Sequence, residues 1–292
     1  MRGRPGPGCV VVESSSPSGQ VSGETVPVTD VLACPHCSAP LTVGEKAATC
    51  ATGHAFDRAR GGYLNLLVGG RLPAGTTPGD TADALAARRR FLGAGHYAPV
   101  AAALVEAVGA VDGPLLDVGC GEGYYLSQMA PAEALGLDVS KQAVQMACRL
   151  LPQHQFVVGS AYRLPIRDAS LAAVTSVFAP HPFEEFARVL QPGGRWVTVT
   201  PGPNHLQELR PQFTGEARAK ALDRQQRRAE PPPEAAWSQR VRFELTLDAT
   251  ALSDLFFMTP IRWQAGAAAA VAQGDGRSVG VDVWVSSSTS PG

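Results

Sequence analysis

Residues 115–123, Leu-Leu-Asp-Val-Gly-Cys-Gly-Glu-Gly, begin as an apolar run and end in a loop with three alternating glycines. Residues without a β-carbon let the backbone turn sharply and approach a ligand closely. A second apolar run, residues 134–137, ends at Asp138. Because the carboxyl ends of adjacent parallel strands face one crevice, a carboxylate there can accept hydrogen bonds from both hydroxyls of a ribose. The pattern predicts a strand, a loop and a helix that bind a nucleoside-containing cofactor.

The downstream sequence narrows the choice of cofactor. Residues 188–199, Arg-Val-Leu-Gln-Pro-Gly-Gly-Arg-Trp-Val-Thr-Val, close a helix and start a further strand. This resembles the helix, Pro-Gly-Gly turn and strand of class I methyltransferases, which implies S-adenosylmethionine as cofactor. A nicotinamide or nucleotide enzyme is the alternative, because a dinucleotide fold uses a similar glycine loop.

The predicted fold is α/β, with a Rossmann-like class I methyltransferase sheet. Apolar strands alternate with helices that begin near Gly123, Ser140, Pro182 and Asn204, and such alternation is typical of a parallel, doubly wound sheet. Residues 241–247 and 279–285 alternate apolar and polar side chains around a helical segment. We therefore expect seven strands, mostly parallel.

A small metal-binding domain is predicted before the sheet. Cys34 and Cys37 form a C-x2-C pair, and Cys50 with His54 forms a C-x3-H pair twelve residues later. Two such pairs can complete a tetrahedron around Zn²⁺. A redox cysteine pair is the alternative, and His36 is a competing imidazole, but its place between two cysteines favours His54. About 40 residues rarely build a stable core without such a staple.

Composition limits the remaining possibilities. The chain has 292 residues, 45% of them hydrophobic, and a net charge of −1. No apolar segment has the roughly 18 residues that a membrane span needs, so we expect a cytoplasmic protein. We predict a disordered extension at 1–29, a zinc-binding domain at 30–70, a linker with helices at 71–112, and a methyltransferase domain at 113–292.

Taken together, these features resemble the bacterial large-subunit ribosomal RNA guanine-N1 methyltransferase family. The match combines the zinc spacing with five short motifs, namely residues 61–67, 87–92, 95–97, 178–180 and 201–206. It implies S-adenosylmethionine-dependent methylation of N1 of a guanine in a hairpin of 23S ribosomal RNA. Within the family, the form found widely in Gram-negative bacteria looks closer than the macrolide-resistance form.

This resemblance and the positions of the strand ends together predict the site residues. The expected cofactor contacts are Tyr97, Asp117, Gly119, Gly121, Gly123, Tyr124, Tyr125, Leu126, Asp138, Tyr162 and His205. We expect backbone N–H groups of the glycine loop to meet the methionine carboxylate. The catalytic candidates are His205, Phe178 and Glu122, with Phe178 as a platform on which the base stacks. Groups that could accept the guanine N1 proton are Glu122, Asp168, His181, Glu184 and His205.

RNA contact must come from a local basic patch, since the net charge is close to zero. The zinc segment and the helices behind it carry such a patch, formed by Arg58, Arg60, Arg71, Arg88, Arg89 and Arg90. We expect an RNA hairpin as partner and no membrane, and we leave a homodimer open. Two alternatives are a small-molecule methyltransferase with a zinc lid and a catalytically inactive, zinc-dependent RNA-binding protein.

Overall fold

The computed structural model describes residues 27–68, 80–209, 229–263 and 277–291, together with Asp223 and Arg227. These residues form a three-stranded antiparallel sheet near the N-terminus and an eight-stranded mixed sheet with helices on both sides. The predicted extension up to residue 26 and the linker residues 69–79, which include Arg71, lie outside the described residues. The Rossmann-like α/β fold that the sequence predicts is confirmed.

Buried parallel strands form the centre of the large sheet. They are β5 (Leu115–Val118), β6 (Ala134–Asp138), β7 (Gln155–Val158) and β8 (Leu171–Val177). The helices that return the chain between strands are α3 (Tyr124–Met129), α4 (Lys141–Leu150) and α5 (Phe183–Val189). Strands covered on both faces read as continuous apolar runs, which is why the sequence located them well.

The other side of the sheet is antiparallel. β9 (Leu190–Pro201) pairs parallel with β8 and antiparallel with β11 (Arg277–Thr289), which in turn pairs with β10 (Trp237–Leu247). Contrary to the sequence prediction, no helix begins near Asn204, because residues 204–209 hold only a 3-10 turn at Gln207–Leu209. Leu206 has a left-handed backbone with φ of 51°, and a left-handed residue interrupts an α-helix.

The eighth strand comes from the zinc segment. β4 (Leu64–Asn65) pairs parallel with β7, with Leu64 opposite Val157. The strand order is β10, β11, β9, β8, β5, β6, β7, β4. The expected seven strands are therefore present, and a short edge strand from the segment predicted as a zinc-binding domain extends them.

The zinc segment is built onto the large sheet. Its own strands are β1 (Leu41–Val43), β2 (Ala47–Cys50) and β3 (Ala55–Asp57). The N–H of Ala33 donates to the Pro165 carbonyl at 2.9 Å, and the N–H of Arg167 donates to the Val31 carbonyl at 2.8 Å. Leu32 packs in one hydrophobic cluster with residues of the central strands. The segment thus shares a core with the sheet.

Three helices close the opposite face. α1 (Ala82–Gly93) and α2 (Ala98–Val108) precede the sheet, and α6 (Ala249–Met258) packs against α1. The Arg90 guanidinium donates to both carboxylate oxygens of Asp254, at 2.5 and 3.0 Å, and so ties α1 to α6. No single described helix is long and apolar enough to cross a bilayer; α1 and α2 reach that length only as a pair bent by 81°.

The packing at β6 gives a direct stability test. A β-carbon on Gly136 would lie 2.5 Å from two ring carbons of Phe156 and 3.0 Å from the Cys120 Sγ. We expect Gly136→Ala to lower the free energy of unfolding by about 1–3 kcal/mol, the usual cost of overpacking a filled core. Urea titration at equilibrium measures this difference.

Gly93→Ala is the matched control. Gly93 is the last residue of α1, and no atom lies within 4 Å of the position that its β-carbon would take. Alanine there should leave stability unchanged or raise it by up to about 1 kcal/mol. Equal unfolding free energies for the two variants would contradict the close packing of β6.

Candidate functional site

Three cysteines and one histidine converge at the N-terminal sheet. One ligand atom from each of Cys34, Cys37, Cys50 and His54 lies within 4.8 Å of all the others. The Cys37 and Cys50 Sγ atoms are 3.8 Å apart, and the His54 Nδ1 is 3.5 Å from the Cys34 Sγ. Corners of a tetrahedron with Zn–S bonds near 2.3 Å are roughly 3.8 Å apart. The spacing of these atoms fits Zn²⁺, and this is the metal site that the sequence predicts.

Thr52 is a neighbour of the cluster that the sequence analysis missed. Its Oγ1 lies 3.0 Å from the Sγ atoms of both Cys37 and Cys50. This hydroxyl contact is the main reason why the pKa of Cys50 falls to about 6, which favours the thiolate form that zinc requires. Its position in the sequence, between the ligands Cys50 and His54, could have indicated that Thr52 lies beside the metal site.

His36 is not part of the ligand cluster. Its ring lies 4.9 Å from the His54 ring and 5.8 Å from the Phe56 ring, centroid to centroid. His36 therefore stacks over the site, and the choice of His54 as ligand agrees with this geometry.

A cavity of about 680 Å³ opens at the carboxyl ends of the parallel strands. Its wall includes residues that follow β5, β6, β7 and β8, together with side chains of α1 and the turn after α6. Ligands of open α/β sheets bind at this edge. In this cavity lie ten of the predicted site residues, namely Tyr97, Gly119, Gly121, Glu122, Tyr124, Tyr125, Asp138, Tyr162, Phe178 and His205.

Asp138 holds the glycine loop in place. Its Oδ2 accepts the N–H of Gly121 at 2.9 Å and its Oδ1 accepts the N–H of Ser140 at 2.7 Å. Burial raises the pKa of Asp138, and the two N–H donors oppose that rise. Each carboxylate oxygen keeps a second lone pair, so the group can still accept hydrogen bonds from ribose hydroxyls.

Most amides of the glycine loop already have partners inside the protein. The N–H groups of Gly119 and Cys120 donate to the Leu137 carbonyl at 2.7 and 3.0 Å. The N–H of Gly123 donates to the Cys120 carbonyl at 3.0 Å, and that of Gly121 is held by Asp138. The loop uses these four amides to hold its own shape, and their contact with a methionine carboxylate stays a prediction.

Aromatic rings form the other end of the cavity. The Phe178 and His205 rings are stacked, with centroids 5.6 Å apart and planes at 23°. The Tyr97 ring lies 6.0 Å from Phe178. Phe178 has φ of 53° and a side chain 39% exposed; a bulky residue in the left-handed region is uncommon and often marks a functional site. Phe178 thus faces the cavity, and it does not simply finish a buried strand.

Buried polar atoms on the cavity wall support occupancy by a polar cofactor. Within the described parts of the chain, the Tyr97 hydroxyl, the Tyr125 hydroxyl and the Glu122 Oε1 are buried without a hydrogen-bond partner. Buried polar groups in proteins are nearly always paired. Together with the Asp138 carboxylate, these atoms fit the amino-acid and ribose groups of S-adenosylmethionine.

Three predicted cofactor residues lie outside the cavity wall. Asp117 is buried in β5, where it accepts the Thr175 hydroxyl at 2.8 Å, and burial raises its pKa to about 7. Gly123 packs against Ala147 of α4, and Leu126 is fully buried in the core. None of the three lines the cavity, and all three support the loop by their packing or hydrogen bonding within the protein.

Two of the five proton-acceptor candidates are also away from the cavity. Asp168 is exposed and paired with Arg188 at 2.7 Å, and Glu184 is exposed on α5. Neither lines the cavity, whereas Glu122, His181 and His205 do.

Asp282 is a positioning residue that no local pattern could reveal. It lies on β11, and its N–H donates to the His205 Nδ1 at 3.3 Å. Its Oδ2 accepts the N–H of Asn204 at 2.9 Å, and Arg240 binds both carboxylate oxygens at 2.8 Å. A residue 77 positions away in sequence thus orients the His205 ring.

Three of the five described arginines of the predicted basic patch have partners within the protein. Arg88 pairs with Asp80 at 2.5 Å, and Arg90 pairs with Asp254. Arg58 donates to the Gly62 carbonyl and to the Gln155 side chain. Arg60, Arg89 and Arg90 are the exposed members of the set, and of these Arg90 is paired with Asp254.

The zinc site predicts the effect of losing one ligand. We expect about one zinc ion per purified chain, and Cys50→Ser should lose it because a hydroxyl is a poor zinc ligand. Elemental analysis after gel filtration measures the metal content. Cys148→Ser is the matched control, because Cys148 lies on α4 outside the cluster; a zinc-free but fully folded wild-type chain would contradict the assignment.

Known proteins share both parts of this chain. A family model described as "Methyltransferase domain" matches residues 116–198, and one described as "RlmA, N-terminal" matches residues 32–68. A 23S rRNA (guanine(748)-N(1))-methyltransferase of Streptomyces fradiae is 38% identical over 245 residues, or 80% of this chain and 85% of the relative.

Two further relatives carry names that assign guanine-N1 methylation of 23S rRNA provisionally. The one from Micromonospora griseorubida is 41% identical over 61% of this chain and 68% of its own length. The one from Bacillus subtilis is 30% identical over 80% of this chain and 86% of its own length. The expected closeness to the form found widely in Gram-negative bacteria finds no support in the names of these three relatives. The chain belongs to the family of 23S rRNA (guanine-N1)-methyltransferases.

Proposed function

We propose that this protein transfers a methyl group from S-adenosylmethionine to N1 of a guanine in a hairpin of 23S ribosomal RNA. The observation that carries the proposal is a single cavity with two chemically different ends. Asp138 and the glycine loop form a polar end suited to the cofactor, and Phe178 with His205 forms an aromatic end. A flipped base stacks on exposed aromatic rings of this kind.

The reaction needs alignment more than chemical activation. S-adenosylmethionine would supply a methyl group bonded to a sulfonium: the N–C bond forms in line as the C–S bond breaks, and the thioether S-adenosylhomocysteine leaves. The protein must hold the nitrogen and the methyl group at near-attack distance, and this positioning supplies much of the rate. Ala179 packs directly on the glycine loop, where a β-carbon on Gly119 would lie 2.3 Å from its own. This close contact fixes the position of the aromatic end of the cavity relative to the glycine loop.

The guanine N1 proton must leave during the transfer. The His205 Nδ1 accepts the Asp282 N–H, so the neutral ring carries its proton on Nε2 and is a donor there. An N–H group at this position can donate to the guanine carbonyl, but it cannot accept the N1 proton. Of the other two candidates that line the cavity, His181 is the acceptor that we retain, because Glu122 lies beside Arg88.

The relative from Streptomyces fradiae is named for guanine 748, and we propose the corresponding guanine as the target here. The RNA hairpin would contact the zinc segment, where His36 is exposed and stacks with Phe56, and where Arg60 is also exposed. Exposed rings bind unpaired bases by stacking, and arginines bind phosphates. An RNA substrate of this kind implies a cytoplasmic enzyme, and a homodimer stays a prediction.

The proposal predicts where the label goes and which side chain matters. Deproteinised 23S rRNA lacking this modification should accept tritium from labelled S-adenosylmethionine, and reverse transcription should then stop at the target guanine. Phe178→Ala should lower kcat/KM for RNA by roughly 5- to 150-fold, since stacking contributes about 1–3 kcal/mol per base. The dissociation constant for S-adenosylhomocysteine should change much less.

Phe257→Ala is the matched control, because Phe257 is similarly exposed but lies outside the cavity wall. Its kcat/KM should remain near that of the wild type. Label that appears only in small molecules would favour the lid-bearing small-molecule enzyme, and RNA binding without any label would favour the inactive binder. Either result would contradict the proposal.

A further inference from the structure

Arg88 is the only guanidinium or ammonium group among the described residues that line the cavity. It lies on α1, and its Nη1 is 3.4 Å from the position that a β-carbon on Gly121 would take. The same atom is 3.9 Å from the Glu122 Oε2. One edge of the guanidinium therefore faces the glycine loop.

The other edge of the guanidinium is held in place. The Arg88 Nη2 donates to the Asp80 Oδ2 at 2.5 Å and to the Met258 carbonyl at 3.4 Å. These contacts come from Asp80, two residues before the first residue of α1, and from the last residue of α6. A guanidinium fixed along one edge presents its remaining donors in a defined direction, which suits the two oxygens of a carboxylate.

Glu122 presents the complementary charge at the same place. Its side chain is buried, and its Oε1 has no hydrogen-bond partner in the described chain. Burial raises the pKa of Glu122, and the charge of Arg88 opposes that rise. A buried carboxylate oxygen without a partner costs free energy unless a ligand donates to it.

The glycine loop offers few free backbone N–H donors to a bound carboxylate. Four of its amides, those of Gly119, Cys120, Gly121 and Gly123, donate to groups within the protein. A carboxylate that approaches the loop must therefore find much of its hydrogen bonding elsewhere. The Arg88 Nη1 is the positively charged donor at that position.

We propose that Arg88 binds the α-carboxylate of S-adenosylmethionine and that the Glu122 Oε1 accepts a hydrogen bond from its α-ammonium group. The inference rests on the proposed function, because it names the residues that bind the α-carboxylate and α-ammonium groups of S-adenosylmethionine. Asp138 would then hold the ribose at the opposite end of the same molecule. Arg88 is thus a binding residue for the cofactor and not a phosphate contact for RNA.

The charges of the cavity agree with this assignment. Asp80, Glu122 and Asp138 carry carboxylates on the wall, and Arg88 balances one of them. S-adenosylmethionine has a net charge of +1 from its sulfonium, because its ammonium and carboxylate cancel. Opposite charges inside a partly dehydrated cavity attract more strongly than in water, so the acidic excess favours the whole cofactor while Arg88 selects its carboxylate.

Two ligands that differ only in the amino-acid end test the inference. S-adenosylhomocysteine has the α-carboxylate and α-ammonium groups, and 5′-methylthioadenosine has neither. We expect Arg88→Met and Glu122→Gln each to raise the dissociation constant of S-adenosylhomocysteine by roughly 10- to 100-fold, the usual effect of losing a charged hydrogen bond. The dissociation constant of 5′-methylthioadenosine should change less than about 3-fold. Isothermal titration calorimetry measures both.

Arg89→Met is the matched control, because Arg89 is the exposed neighbour on the same helix and lies outside the cavity wall. Both dissociation constants should stay at the wild-type values. Arg88→Lys keeps the positive charge at the site and should recover part of the affinity for S-adenosylhomocysteine. Thermal unfolding of each variant reports whether the fold is intact.

The outcomes separate the inference from the function on which it rests. Equal weakening of both ligands in Arg88→Met, or no weakening of either, would overturn the role of Arg88. A Glu122→Gln variant that binds S-adenosylhomocysteine normally but shows an altered pH profile of methyl transfer would assign Glu122 to the guanine proton and overturn its role here. A folded wild-type chain that binds neither ligand would overturn the proposed function itself.

Discussion

The carboxylate of Asp138 is the group on which the site depends. It accepts one backbone N–H from the glycine loop and one from the start of α4, so two separate segments are tied to the end of β6. Hydrogen bonds to an ionised acceptor are roughly twice as strong as neutral ones. A loop with three left-handed glycines has little local preference for one shape, and this carboxylate selects the shape that opens toward the cavity.

The fixed loop then determines where the aromatic end of the cavity lies. Gly119 leaves room for Ala179, so the segment after β8 packs directly on the loop, and Phe178 takes a left-handed backbone to face the cavity. Strain of this kind persists only where the surrounding structure enforces it. Here the N–H of Phe178 donates to the Val199 carbonyl at 3.0 Å, which anchors the residue to β9. Cofactor and base are therefore positioned by one continuous set of backbone contacts.

The sequence was most informative where structure follows from nearby residues. The ends of β5 and β6, the glycines of the loop and the Cys/His spacing were all located correctly, because strand burial, turn geometry and zinc coordination act over a few residues. The sequence pattern could not indicate that β4 joins the edge of the large sheet, since two residues carry no periodicity. It also could not show that Asp282 orients His205 from β11, a contact that exists only once the antiparallel strands pair.

The largest change in interpretation concerns the arginines of α1. In the sequence they form a basic run, which is typical of a surface that binds phosphates. In the structure, Asp80 and Asp254 lie far from each other along the chain but both face this helix and neutralise Arg88 and Arg90. The role of a charge depends on which partner the fold brings to it, and local composition does not specify that partner.

We infer that one cavity holds the ribose at Asp138 and the reacting sulfur between the glycine loop and Phe178. A crystal structure with S-adenosylhomocysteine bound would place the ligand. We expect both ribose hydroxyls within hydrogen-bond distance of the Asp138 carboxylate, and the sulfur facing the aromatic end formed by Phe178 and His205. A ligand seated away from Asp138, or one whose sulfur faces a wall closed off from Phe178, would contradict it.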